Sequence, residues 1–438
     1  MHPFFPQTSD DIKHMLDVIG IESVDDLYKD VPDNVRLKKD YDLPSSQSEI
    51  EIRRKLAEFG KLNKQLVCFA GAGAYDHYTP AVIPQIVERS EFLTSYTPYQ
   101  AEISQGTLHY IFEYQTMMAR LTGMDISNAN MYDGSTATAE AALMAVASTK
   151  KTNKVILSDG IDPKVKEVVK TYAHFYGLEL LSLPTVNGAT DFSALDETLA
   201  QGGVAGLIVQ QPNRYGIVED YTGVADRCHA AKALLIINSV AADLSMLKTP
   251  GEWGADIAVG EGQSLGIPLS WGGPYIGYMC TTEKHMRKMP GRIVGQTVDH
   301  DGKRAFVLTL QAREQHIRRQ RATSNICSNQ GLMALWVTIY MSLMGPQGLK
   351  EATQMGCDGA HYLHDQLIAT GHFCDAFPGQ EFLNEFCVKY DGDLAALQEK
   401  WVENGFMGGV AISDDTVMFA VTEQRTKEEI DQLVALIS

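Results

Sequence analysis

Apolar positions recur along this chain at two spacings, and the change from one to the other marks its organisation. From Ser9 to Asn63 they fall three and four residues apart among charges, which predicts helices over Asp10 to Ile19 and Ser46 to Asn63, with Ser46 and Glu49 placed to form a capping box. A Gly/Pro-rich loop, Ala70 to Pro84, follows. Helical periodicity then resumes over Ile103 to Thr122 and is broken at Gly123.

Beyond Gly123, short β-rich apolar runs alternate with amphipathic helices: Lys154 to Ser158, Glu179 to Leu183, Gly206 to Val209, Leu234 to Asn238, Asp256 to Gly260 and Tyr275 to Met279. Runs this far apart need crossover connections, hence a mostly parallel sheet covered on both faces. After Pro290 the pattern changes. Phe306 to Leu310 reads as a strand of a hairpin-like excursion, helices are expected at Gly331 to Met344 and Gly348 to Ala369, and further strands near Phe386 to Tyr390 and Val417 to Val421. The expected organisation is a helical arm (residues 1–65), a large α/β domain (66–330) and a small C-terminal α+β domain (331–438).

Composition narrows the class. A chain of 438 residues with 45% hydrophobic content can bury roughly 75% of its unfolded surface. Its formal charge of −18 is spread along the whole length, so nucleic acid and anionic membrane are poor partners. Met1 to Asp11 lacks the features of a secretory or organellar leader, and Leu332 to Met344 is too short to span a bilayer. Seven scattered cysteines without a CxxC pair argue against a disulfide framework and a zinc site, so a reducing cytoplasm is expected and no metal.

Gly71-Ala72-Gly73 lacks the third glycine of a nucleotide loop, and Pro80 and Pro84 interrupt the helix such a loop would open; a tight turn is the better reading. Asp133-Gly134-Ser135-Thr136-Ala137-Thr138 precedes a clean helix. Its free backbone N–H groups suit an anion, although a plain N-cap at Ser135 or Thr136 explains the same residues. In order, this helix start, the strand end Ile236-Ile237-Asn238 and the turn Gly260-Glu261-Gly262-Gln263-Ser264 follow the plan of fold-type I, aspartate aminotransferase-like pyridoxal-phosphate enzymes. The reactive groups of that plan are missing. Gln263, where the Schiff-base lysine is expected, has only a non-nucleophilic amide, and Asn238, where an aspartate should face the pyridine nitrogen, carries no negative charge. Lys248 and Lys284 lie before and after the turn and read as solvated surface lysines.

A family resemblance becomes specific over about Phe69 to Gln330. It is carried by Gly71-Ala72-Gly73-Ala74-Tyr75-Asp76-His77-Tyr78-Thr79-Pro80, by Thr97-Pro98-Tyr99-Gln100-Ala101-Glu102-Ile103-Ser104-Gln105-Gly106, and by the run from Met289-Pro290-Gly291-Arg292 through Gln311-Ala312-Arg313-Glu314-Gln315-His316 to Ser324-Asn325-Ile326-Cys327. These stretches resemble the P-protein of the glycine cleavage system, in particular its subunit 1 (alpha) where the enzyme is split. Ala101 replaces a common proline and Ser264-Leu265 a common Pro-Phe, neither touching a chemical group. The resemblance implies an α2β2 assembly whose beta subunit carries lysine-bound pyridoxal phosphate. It implies glycine decarboxylation with transfer of the aminomethyl group to the lipoyl arm of H-protein, this chain being inactive alone.

Within these runs, Tyr96 and Tyr99 flank Pro98 and are candidates for presentation toward a partner's cofactor, as are Gln100 and Glu102; packing at an interface explains the tyrosines equally well. Arg313, His316, Arg318, Arg319 and Arg321 form a basic cluster suited to a carboxylate or phosphate, with Arg313 and His316 on one face if the segment is helical, and a salt-bridged structural cluster is the competing reading. Cys327 is a candidate redox-sensitive thiol. Two other readings stand beside the enzyme subunit: a self-sufficient pyridoxal-phosphate enzyme using another lysine, and a non-catalytic scaffold or regulatory paralogue binding the beta subunit or H-protein.

Overall fold

The computed structural model describes residues 4–150 and 152–437, and contact density divides the chain at Lys64/Gln65. The first unit carries helices Ser9–Ile19 and Glu49–Gly60, neither of which buries a residue. The second helix starts later than its sequence suggests. Ser48, not Ser46, is the cap, and its hydroxyl and amide both donate to Glu51. Two overlapping Ser-x-x-Glu patterns compete here; the one at Ser48 puts both Glu49 and Glu51 into the first turn, where they face the positive end of the helix.

In the second unit, helix α1 (Gln105–Thr122) leads into a seven-stranded sheet made of β1 (Ile126–Ser127), β2 (Lys154–Ser158), β3 (Glu179–Leu183), β4 (Val204–Gln211), β5 (Leu234–Val240), β6 (Ile257–Glu261) and β7 (Gly277–Thr281) in the order β1-β7-β6-β5-β4-β2-β3. β2 to β6 pair in parallel, while β7 runs antiparallel to β6 and β1. The interior strands are buried on both faces, which is why they read as continuous Val/Ile/Leu runs. Helix α2 (Gly134–Ser148) packs its alanine-rich face on this sheet. Gly134 is needed there, since a Cβ would stand 2.7 Å from the Glu261 amide.

The excursion after Pro290 is an antiparallel hairpin, Ile293–Val298 with Arg304–Thr309. Helix α3 (Gly331–Ala369) then crosses from one core to another: Ala334, Leu335, Val337 and Tyr340 sit in the cluster around α1, whereas Ala360, Leu363 and Leu367 join Trp401, Phe386 and Phe419. Its course breaks at Gly345, ahead of Pro346. A four-stranded antiparallel sheet in the order Phe373–Asp375, Glu385–Tyr390, Thr416–Ala420, Val410–Ala411 completes the chain. All seven cysteines are free thiols.

Candidate functional site

The C-terminal ends of β5 and β6 and the start of α2 converge on a cavity of about 250 Å³ lined by Gly73, Asp133, Ser135, Lys164, Asn238 and Glu261, among others. The crevice outside the carboxyl ends of parallel strands is where α/β sheets hold ligands. The N-terminus of α2 is already engaged. Asp133, rather than Ser135 or Thr136, is the N-cap, accepting from the Thr136 amide at 2.8 Å. Glu261 reaches back from the end of β6 and accepts from the Gly134 amide at 2.9 Å. The same carboxylate accepts from the amides of Gly262, Gln263 and Ile276 at 3.1, 3.2 and 3.1 Å. Burial pushes its carboxyl up to about 7 against the pull of these amides, and the nearby Asp133 charge adds to the rise. Two carboxylates therefore occupy the helix start where a phosphate would need amides free.

Gln263 is fully buried and its amide is spent. Its Oε1 accepts from the Tyr75 amide at 2.9 Å, and its Nε2 donates to the carbonyls of Tyr75 at 2.9 Å and Ile267 at 2.6 Å. The side chain thus clamps the loop that begins at Gly71. Glu385 holds the same loop from the small sheet, accepting from the Ala72 amide at 2.6 Å and the Tyr75 hydroxyl at 3.0 Å. Gly71 allows this approach, since a Cβ would lie 2.2 Å from Glu385 Oε1. Lys248 and Lys284 lie outside the cavity, the former with Nζ 3.7 Å from the centre of the Trp253 ring. The amine that does line it is Lys164, which follows the N-cap Asp162 of helix Pro163–Tyr176; its surroundings in the sequence look like an ordinary helix start and give no signal. The residues at this cavity do not fit pyridoxal phosphate: Gln263 is a hydrogen-bonded amide, Asn238 carries no negative charge, and the start of α2 is engaged by the carboxylates of Asp133 and Glu261.

A second constellation lies beside the first, joined to it through Tyr132, whose hydroxyl accepts from the Cys327 amide at 2.9 Å. Its hub is Arg292, which is 3% exposed. The guanidinium donates to Ser328 Oγ at 2.9 Å, to the Cys327 carbonyl at 3.0 Å and to the Tyr99 hydroxyl at 3.3 Å, with Glu314 Oε2 at 3.9 Å. Arg292 stands apart from the denser arginines that follow it, and its signal in the sequence is an arginine after Pro290-Gly291 just before a strand.

The structure brings Tyr96, Tyr99 and His316 together, with ring centroids 6.3 Å apart for the tyrosines and 6.4 Å for Tyr99 and His316. Tyr96 is 81% exposed and walls two cavities of about 410 and 620 Å³. Gln100 lines the larger of them, whereas Glu102 is exposed and lines neither. Arg313 and His316 do not share a helical face: Gln311–Arg313 and Gln315–Arg318 are separate short turns, broken at Glu314, whose backbone is extended at φ −77° and ψ 154°. Arg313 is tied to the carbonyls of Leu310 and Gly291, at 3.1 and 2.9 Å, instead of an acid. Arg318, Arg319 and Arg321 are exposed, so the basic run is not one salt-bridged cluster. Cys327 is exposed.

Residues 2–437 match the family model described as glycine cleavage system P-protein. The probable glycine dehydrogenase (decarboxylating) subunit 1 of Moorella thermoacetica is 48% identical, over 99% of this chain and 98% of its own length. The protein of the same description from Anoxybacillus flavithermus is 45% identical over the same shares of the two chains. A crystal structure of inhibitor-bound glycine decarboxylase (P-protein) of the glycine cleavage system superposes with a TM-score of 0.90 at 38% identity, covering 100% of this chain and 99% of that one. Glutamate decarboxylase of Lactobacillus brevis, at 13% identity and a TM-score of 0.68 over 92% of this chain and 96% of its own, shares the fold alone. With a family model spanning nearly its whole length and relatives close to half identical along all of it, the chain belongs to the glycine cleavage system P-protein family.

Proposed function

We propose that this chain is the subunit of glycine decarboxylase that lacks the lysine. With its lysine-bearing beta partner in an α2β2 assembly it serves decarboxylation of glycine and transfer of the aminomethyl group to the lipoyl arm of H-protein, in the cytoplasm. The observation that carries the reading is Gln263: at the position of the Schiff-base lysine, a fully buried amide makes three hydrogen bonds that fasten the chain's own loop. Pyridoxal phosphate is accordingly assigned to the partner, where it supplies the electron sink for decarboxylation. The part of this chain is to wall the shared site. Tyr96 and Tyr99, which flank Pro98 and of which Tyr99 is held by the Arg292 guanidinium, present phenols toward the partner, and Gln100, Glu102, Arg313 and His316 contribute to the same interface. A stripe of apolar residues on the first helix, with Ile12 and Leu16 half-buried and Met15 and Ile19 exposed, suits the same partner.

The test is reconstitution. The purified chain with pyridoxal phosphate should develop no visible cofactor absorbance and leave no borohydride-fixed lysine. Mixed with the beta subunit and H-protein it should restore glycine-dependent CO₂ exchange. A phosphopyridoxyl group recovered on Lys164 or any other lysine of this chain would end the proposal, as would full exchange activity from the beta subunit without it. Unchanged turnover on substituting Tyr96, Tyr99 and Arg313 would leave a scaffold role only.

A further inference from the structure

The opposite edge of the main sheet carries a cavity with a different chemistry. It opens at the N-terminal ends of β2, β4, β5 and β6, near Thr152, Gly203, Ala233 and Asp256, and it measures about 780 Å³. Sites for small molecules run to roughly 300–1,000 Å³. Three lysines, Lys150, Lys232 and Lys284, line it, and none has a carboxylate within ion-pair distance among the described residues. In a chain of formal charge −18, these three exposed lysines give one hollow a local excess of positive charge over the Asp256 carboxylate in its lining.

Two buried polar atoms in the same lining lack a hydrogen-bond partner: Ser148 Oγ and Nε2 of His285. His285 is 5% exposed, and Asp256 Oδ1, at 3.5 Å, is its long contact; the other oxygen of Asp256 is taken up by His229 at 2.8 Å and the Leu235 amide at 3.0 Å. Lys232 itself sits at φ 61°, a backbone region that non-glycine residues seldom occupy, at the turn that leads into β5. The lysines would repel a cation from the His229–Asp256–His285 group. What the hollow offers is positive charge and unpaired hydrogen-bonding capacity on one wall.

We propose that this cavity binds a small phosphorylated molecule, separate from the shared catalytic site. The choice of phosphate follows from the lining. Lysines act as point charges that suit a compact, multiply charged anion, and three of them reach this hollow from separate parts of the chain. The hydroxyls of Ser148, Thr149 and Thr152 supply neutral donors beside them.

The full chain should be titrated with inorganic pyrophosphate at constant ionic strength set with sodium sulfate, with lysine acetylation read by mass spectrometry in parallel. The expected result is saturable binding at one site, with acetylation of Lys150, Lys232 and Lys284 slowed about threefold or more while Lys170, paired with Glu167 on the surface, is unaffected. The pair Lys232→Met and Lys284→Met should weaken binding about tenfold or more, and Lys→Arg at both should restore most of it. Absence of saturable binding above the sulfate background would overturn the proposal, as would equal protection of Lys170 or undiminished binding by the methionine pair. The acetylation pattern on the unaltered chain decides the matter if the variants fail to fold.

Discussion

At the scale of single residues, the hydrogen bonds of Gln263 fix what that position can hold. A lysine at position 263 could still donate to the Tyr75 and Ile267 carbonyls, but it could not accept from the Tyr75 amide, and it would place a charge in a fully buried position. Gln263→Lys should therefore lower the unfolding free energy by about 2–4 kcal/mol in denaturant titration and still leave the chain without visible cofactor absorbance. Retained stability together with such absorbance would show that the amide is no clamp. Buried acids supply a pH dependence. Burial pushes Glu140, Asp243, Glu261 and Glu385 each up to about 7, although a hydrogen bond from Ser324 pulls Glu140 back down. Their folded values lie above the unfolded ones, so the folded chain holds more protons over the interval between. Stability from these groups is full below their ordinary carboxyl range and is lost as pH rises through about 7. Glu140→Gln removes one such proton, and the fall in stability between pH 5 and 7 should become shallower by at most about 1.4 kcal/mol per pH unit. Parallel slopes for the variant and the original chain would rule out Glu140 as a contributor.

At the scale of elements, legibility followed local causes. The parallel strands were readable because burial on both faces makes them uniformly apolar, and the break in α3 because Gly345-Pro346 interrupts a helical run. Ile126–Ser127 was not readable, being two residues that become a strand only by pairing with Cys280 and Thr281. The site divided in the same way. The neutral amides of Gln263 and Asn238 were visible as residue types, but the Glu261 carboxylate at the start of α2 was not, because 127 residues separate it from the Gly134 amide it engages. Arg292 shows the limit most clearly: its contacts come from Tyr99, Glu314 and Cys327 to Asn329, three separate stretches of chain. Arg292→Lys keeps the charge and loses the fork, so the segment after the arginine run should loosen. Amide hydrogen exchange at Ile326, Cys327 and Gln330 should quicken about tenfold or more, with little change in β4 and β5. Unaltered exchange there would show that the ties to Glu140, Tyr132 and Asn130 suffice without the guanidinium.

At the scale of the whole molecule, the features with no internal purpose point outward. Trp271 is 96% exposed, on a turn where Ser270 and Trp271 both have positive φ, at 45° and 52°. An indole left wholly in water forgoes a large burial term, roughly 25 cal/mol for each Å² of apolar surface, and indoles are among the side chains that anchor interfaces most often. The other tryptophans are differently placed: Trp401 is wholly buried, the Trp336 indole N–H is bonded to the Gly266 carbonyl at 2.7 Å, and Trp253 lies under Lys248. Fluorescence can therefore isolate Trp271. In the proposed assembly with the lysine-bearing subunit its emission should move to shorter wavelength as that subunit is added, and Trp271→Phe should abolish most of the shift while leaving association measurable. Trp271→Ala, which removes the anchor, should weaken association about tenfold or more by sedimentation. A complex that forms with full affinity while Trp271 emission stays that of a solvated indole would place this turn outside the contact, and the search for the partner's footprint would then return to Tyr96, Tyr99 and Ile103, which are 81%, 54% and 80% exposed.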